Sequence, residues 1–270
     1  MAVDYYLVVP CAVRERVNDD ELLTLEKAKG RATSVLNQLR AVPGPHHDRP
    51  EPEWTFSIAE TGPDGTGEVV TTVGELLATA APLDELAPLC DKCPLRGGTT
   101  EAPPFFCGGT IRYPISAAAE QWLLARLPNR IDERGGQILQ KYLQDLNCDG
   151  ATVNELRSHG GFYESPEPFV REWMNVTPTK NDGTPGAMER IVVSSSQVLS
   201  LMFDAGHYEP PYARLIGCVL GYMVPDMREM AERVDNRILP SDDMGITDLK
   251  RFLARVATAG VNNWPVFVDA

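Results

Sequence analysis

The 270-residue chain is 43% hydrophobic and 23% charged, which is typical of a folded globular protein with room for one large or two modest domains. Its formal net charge of −13 argues against proteins that follow nucleic-acid phosphates and against binding to an anionic membrane surface. No window approaches the roughly 20 apolar residues of a membrane-spanning helix, and no basic and apolar leader opens the chain. We therefore expect a cytoplasmic protein.

Strands and helices alternate in the first part of the chain. Residues 3–13 are rich in β-branched and aromatic residues and predict a buried strand. Asn18, Asp19 and Asp20 are N-cap residues for a helix with apolar positions at helical spacing, which Pro43 ends. The later predicted elements are a β-hairpin over 54–73, a helix over 74–89 and a short strand over 110–115.

This order, strand, helix, strand, strand, helix, strand, is the βαββαβ pattern of the ferredoxin-like α+β sandwich. In that topology the fourth strand lies beside the first and runs antiparallel to it. We therefore predict a ferredoxin-like domain over residues 1–115, in which the end of the first strand meets the start of the fourth.

Cysteines cluster at the edge where these two strands are predicted to meet. Cys90 and Cys93 are two residues apart, so both thiolates can reach one tetrahedral ion. Cys107 lies beyond a Pro/Gly-rich segment, and Cys11 ends the first strand. We predict a metal site formed by Cys11, Cys90, Cys93 and Cys107, with a structural zinc ion as the first choice. An iron–sulfur cluster, which Pro94 favours, and thiols without metal are the alternatives.

From Ser116 the pattern becomes mainly helical, and we predict a second domain over residues 116–270. A loop is expected over 175–190 and a terminal strand over 264–268. The predicted helices cover 117–127, 131–146, 152–158, 166–174, 195–205, 211–223, 226–236 and 246–260. The helix over 211–223 is apolar all round, which predicts a core helix, or a partner site if part of it is exposed.

No residue set in the sequence defines a catalytic centre. Ser194, Ser195 and Ser196 lack the Gly-x-Ser-x-Gly elbow and are typical of a helix N-cap. His159 precedes two glycines and lies near Glu164, but a nucleophile and base need a third group that orients them.

We therefore expect a non-catalytic binding or assembly protein, an adaptor that zinc stabilises and that engages another protein, or a further copy of itself, through its helical domain. The alternative is an enzyme. It would be either an iron–sulfur redox protein or one that acts on a small ligand in an inter-domain cleft, lined by His159, Glu164 or paired carboxylates. The sequence does not decide whether the chain is an enzyme.

Overall fold

A computed structural model describes residues 2–62, 65–96, 103–176, 188–204, 206–221 and 237–269. It confirms the predicted α+β class. The chain forms two compact units, which we call unit 1 (Met1–Val8 with Cys107–Ala270) and unit 2 (Val9–Phe106). In the described part of the chain, no helix has both the length and the apolar character needed to cross a membrane.

Seven strands and nine helices are used below to describe the two units. In chain order they are β1 (Ala2–Leu7), α1 (Asp19–Ala41), β2 (Thr55–Gly62), β3 (Gly65–Thr72), α2 (Val73–Ala80), α3 (Pro82–Leu86), β4 (Gly108–Arg112), α4 (Ala117–Ala125), α5 (Arg134–Asp145), α6 (Ala151–Ser158), β5 (Val170–Val176), β6 (Met188–Ser194), α7 (Ser195–Phe203), α8 (Pro210–Val219), α9 (Met244–Asn262) and β7 (Val266–Asp269). Short 3₁₀ segments lie at Pro45–Asp48, Glu51–Glu53, Ala87–Lys92 and Pro94–Arg96.

The sheet of unit 1 has the strand order β4-β1-β7. Strand β1 is antiparallel to both neighbours, with Tyr5 opposite Gly109 of β4 and Tyr6 opposite Phe267 of β7. The predicted antiparallel contact between the first and fourth strands is thus present. The second neighbour of β1 is β7, which is the terminal strand predicted over 264–268.

The prediction of a ferredoxin-like fold for residues 1–115 is wrong in its strand pairing. That fold places the hairpin strands in the same sheet as β1, whereas β2 and β3 pair with each other in a separate two-stranded sheet. The physical reason is the apolar run Val266-Phe267-Val268, which is buried beside β1. Two strands of the predicted first domain therefore share a sheet with a strand from the predicted second domain. The division between Val8 and Val9 and between Phe106 and Cys107 does not coincide with the predicted boundary at 115/116.

Two glycines allow β4 to pair with β1. A Cβ atom at Gly108 would lie 2.3 Å from the ring of Tyr6, and one at Gly109 would lie 2.4 Å from the hydroxyl of Tyr5. The tyrosine rings thus cover the glycines across the strand pair, and any larger residue at either position would push a ring aside.

The core of unit 1 forms where α9 covers this sheet. Phe252 of α9 is fully buried and meets Tyr5 edge-on, with ring centroids 4.9 Å apart. The rings of Phe203 and Tyr208 also pack against Phe252, at 5.9 and 6.1 Å. Aromatic rings from the sheet and the helices therefore make one continuous cluster.

Unit 2 is built around α1. Asn18 caps this helix as predicted, because its side chain accepts a hydrogen bond from the N–H of Glu21 at 2.8 Å. The buried stripe of α1 contains Leu22, Leu25, Ala28 and Ala32. Thr72 and Glu75 form a capping box that starts α2 directly after the hairpin β2–β3.

A second hairpin, β5–β6, replaces the helix predicted over 166–174. Part of the loop predicted over 175–190 is a strand instead, because Met188, Glu189 and Arg190 belong to β6. Residues 177–187 of that loop lie outside the described residues, as does the helix predicted over 226–236. The other predicted helices of this half are present within a few residues of their expected ends.

Buried tyrosines make the fold sensitive to alkaline pH. Burial raises the pKa of Tyr5, Tyr208 and Tyr212 above the ordinary value. In the unfolded chain these phenols ionise at about pH 10. Between that pH and the raised pKa values, the unfolded chain binds fewer protons than the folded one, so stability falls as pH rises.

We therefore expect the free energy of unfolding to be insensitive to these phenols below about pH 10 and to decrease above it. The phenolate absorbance of the buried tyrosines should rise together with loss of the near-ultraviolet circular dichroism. If all phenols titrate near their ordinary pKa while the fold stays intact, the prediction is wrong.

Candidate functional site

Three of the four predicted metal ligands lie in unit 2. Cys90 is buried in the segment Ala87–Lys92, and the N–H of Cys93 donates to the carbonyl of Cys90 at 3.0 Å. The N–H of Phe105 donates to Cys90 Sγ at 3.5 Å. Cys11 is partly exposed in the turn after β1. The thiolate is the form of cysteine that binds metals, and a backbone N–H is a donor from which cysteine sulfur can accept.

Cys107 belongs to unit 1, where it precedes β4. Its carbonyl accepts a hydrogen bond from the N–H of Leu7 at 3.1 Å. None of the six cysteines forms a disulfide. In the described residues, no three or more Cys, His, Asp or Glu side chains are placed together as a metal site. The four-cysteine site therefore stays a prediction.

The strongest polar cluster of unit 1 surrounds a buried ion pair that the sequence analysis missed. Glu120 of α4 is 0% exposed and Arg157 of α6 is 5% exposed. Arg157 Nη1 donates to Glu120 Oε1 at 3.1 Å and to the carbonyl of Ser165 at 2.7 Å. Its Nη2 donates to Glu120 Oε2 and to Ser195 Oγ, and its Nε donates to Ser196 Oγ at 3.0 Å. All five N–H donors of the guanidinium therefore have acceptors.

Both carboxylate oxygens of Glu120 also have hydrogen-bond donors. Ser195 Oγ donates to Glu120 Oε2 at 2.6 Å and accepts from the N–H of Phe169 at 3.1 Å. The guanidinium of Arg157 lies over the ring of Tyr163, with Cζ 4.3 Å from the centroid. These contacts hold α4, α6 and the start of α7 together, and they leave no donor of Arg157 for a ligand. The cluster is structural.

His159, Glu164 and Ser194 contact the backbone at helix ends, whereas the hydroxyls of Ser195 and Ser196 belong to the Glu120–Arg157 cluster. His159 Nδ1 lies 2.9 Å from the carbonyl of Glu155, and Glu164 accepts from the N–H of Ala117 at 3.0 Å. Ser194 forms a capping box with Gln197, as its sequence position predicted. These contacts are typical of helix ends, and none of them forms a nucleophile with its base.

The apolar helix expected over 211–223 is a core element in its described part. Ala213, Ile216, Gly217 and Val219 of α8 are buried. Tyr212 donates from its hydroxyl to the carbonyl of Leu201 at 2.5 Å. This helix therefore offers little apolar surface to a partner.

An exposed apolar surface lies instead on the hairpin β5–β6. On one side of this hairpin, Trp173 and Val193 are buried, and Ile191 is partly buried. The other side, which we call the outer face, carries seven described side chains, which alternate along the two strands with those of the first side. They are Val170, Glu172, Met174, Met188, Arg190, Val192 and Ser194.

The outer face groups several exposed apolar side chains on one side of the hairpin. Val170, Met174, Met188 and Val192 are 55%, 55%, 68% and 43% exposed. They are four of the thirteen large apolar side chains that are exposed in the described part of the chain. Contiguous exposed apolar residues mark interaction sites, whereas single ones need no explanation.

Comparison of the chain with protein-family models, with curated proteins and with solved structures gives no match.

The buried ion pair generates a test of its structural role. Glu120→Ala should lower the free energy of unfolding by about 3–5 kcal/mol, because it leaves the guanidinium of Arg157 buried without its carboxylate. The measurement is chemical denaturation followed by circular dichroism.

Glu172→Ala is the matched control, because it removes the acid of an exposed ion pair with Arg190 in the same unit. Its effect should be far smaller, since water replaces the lost partner. Similar losses in the two variants would show that burial of Glu120 and Arg157 is not what makes their contact important.

Proposed function

We propose that this chain is a non-catalytic binding or assembly protein that engages another polypeptide through the outer face of β5–β6. The observation that carries the proposal is the exposure of Val170, Met174, Met188 and Val192 together on one side of a two-stranded sheet. The surface lies in the part of the chain expected to bind a partner, but on a hairpin and not on a helix.

Two physical arguments support this choice. Removing apolar surface from water is favourable by roughly 25 cal/mol per Å², so covering these side chains provides a driving force for association. The Glu120–Arg157 cluster, by contrast, is buried and hydrogen-bonded throughout, so it offers no group for chemistry on a substrate. Binding is therefore the activity that the surface of unit 1 favours.

Photo-crosslinking from the outer face tests the proposal. Benzoylphenylalanine placed at Met174 or at Met188 should yield, on irradiation of cells of the native host, a covalent adduct with the same polypeptide from both positions. Mass spectrometry then identifies that polypeptide.

Leu146 is the matched control position, because it is 46% exposed and apolar but lies at the end of α5, outside the outer face. No such adduct should form from position 146. The proposal fails if positions 174 and 188 give no adduct, or if all three positions label the same set of proteins.

The second part of the proposal is the structural zinc ion at Cys11, Cys90, Cys93 and Cys107. Its support is chemical. The four thiols form no disulfide bonds, Cys90 and Cys93 lie in one turn, and Cys90 Sγ has an amide donor. A closed four-thiolate site would add folding free energy and take no part in a reaction, which suits a binding protein.

We expect the purified protein to contain about one zinc ion per chain by inductively coupled plasma mass spectrometry, since four thiolates complete one tetrahedral site. Cys93→Ser should lose the zinc and melt at a lower temperature than Cys148→Ser, which removes no predicted ligand. Equal melting temperatures with no zinc in the wild type would contradict the proposal, and a brown iron-containing chromophore would favour the cluster alternative.

A further inference from the structure

We infer that the outer face of β5–β6 binds the same face of a second copy of this chain. The inference rests on the proposed function and names its partner. It depends on how charge is arranged on the outer face. The chain has a net charge of −13, yet this surface carries one acid and one base, Glu172 and Arg190, among apolar side chains.

The strand register places these residues on two crossing diagonals. Glu172 lies directly opposite Val192, and Met174 lies directly opposite Arg190. The charged residues therefore share one diagonal, where Arg190 Nε donates to Glu172 Oε2 at 3.0 Å. The two apolar residues share the other diagonal. Both charged side chains keep surface for further contacts, because they are 46% and 61% exposed.

This arrangement is self-complementary about one axis. A two-fold axis along the Met174–Val192 diagonal puts each of these two side chains against its own counterpart. The same rotation puts Glu172 over Arg190 of the second copy, and Arg190 over its Glu172. Each contact is therefore made twice, and opposite charges face each other in both.

The same axis gives a known kind of sheet packing. Strands lie about 4.8 Å apart and alternate residues about 6.8 Å apart, so the diagonal is inclined by roughly 35° to the strands. Rotation about it crosses the strands of the two copies at roughly 70°, which is close to orthogonal sheet packing. The outer face is thus suited to a copy of itself by the crossing angle of its strands as well as by charge.

The contact area sets the expected affinity. A two-stranded face is smaller than the roughly 800 Å² per partner of a standard interface, so the dimer should be weak. We expect the molar mass by light scattering to rise from the monomer value of 29.7 kDa toward twice that value. The rise should occur as concentration increases from about 5 to about 500 µM, the range of weak complexes.

Variants with reversed charge distinguish an ion pair between two copies from the ion pair within one hairpin. Glu172→Arg and Arg190→Glu each place two like charges on the outer face, so each variant alone should remain monomeric. An equal mixture of the two variants should dimerise again, because one face is then doubly basic and the other doubly acidic. Mixing restores no ion pair within either hairpin, so its recovery reports the contact between copies.

Asp132→Arg is the matched control, because it breaks the exposed ion pair with Arg130 away from the outer face. It should dimerise as the wild type does, and circular dichroism should show that all three variants are folded. A wild-type mass of 29.7 kDa at every concentration, or a mixture that stays monomeric, overturns the inference. If the wild type is monomeric but positions 174 and 188 crosslink one other protein, the inference fails and the proposed function stands.

Discussion

Strand β1 is the element on which unit 1 depends, because it is buried and has neighbours on both sides. Backbone N–H and C=O groups that are removed from water must be hydrogen-bonded, so a central strand requires two partner strands. These come from β4 and β7, which are separated by most of unit 1 in the sequence. Helix α9, which lies between them in the sequence, covers the sheet and contributes Phe252 to the aromatic cluster around Tyr5.

Local features of the fold were predictable, whereas the choice of strand partners was not. The cap at Asn18 and the hairpin β2–β3 depend on residues close together in sequence, so short patterns reveal them. Pairing of β1 with β7 joins segments about 260 residues apart, and no short pattern specifies such a pair. The prediction of a helix over 166–174 was wrong because this segment pairs with β6. The run Ile191-Val192-Val193 of β6 is rich in β-branched residues that favour a strand, and the prediction did not use it.

The buried ion pair was unpredictable for the same reason, because its two residues are far apart in the sequence. Glu120 and Arg157 lie on different helices, and neither position stands out among charged residues at helix surfaces. One indication was available: Glu120 lies between Ala119 and Leu123, on the side of α4 that its apolar residues define. A buried acid at such a position requires a cation, because an unpaired buried charge is strongly unfavourable. The identity of that cation depends on tertiary packing, which the sequence pattern does not contain.

Charge also determines where this acidic chain can meet a second macromolecule. A net charge of −13 repels other acidic surfaces at a distance, but salt screens that repulsion beyond about 8 Å at physiological ionic strength. Close contact then depends on the charges within the contact itself. The outer face balances its own charge, because the hydrogen bond from Arg190 lowers the pKa of Glu172 and keeps the acid ionised beside its base. In close contact with another acidic chain, a locally neutral, apolar surface therefore meets less charge repulsion than a surface of net negative charge does.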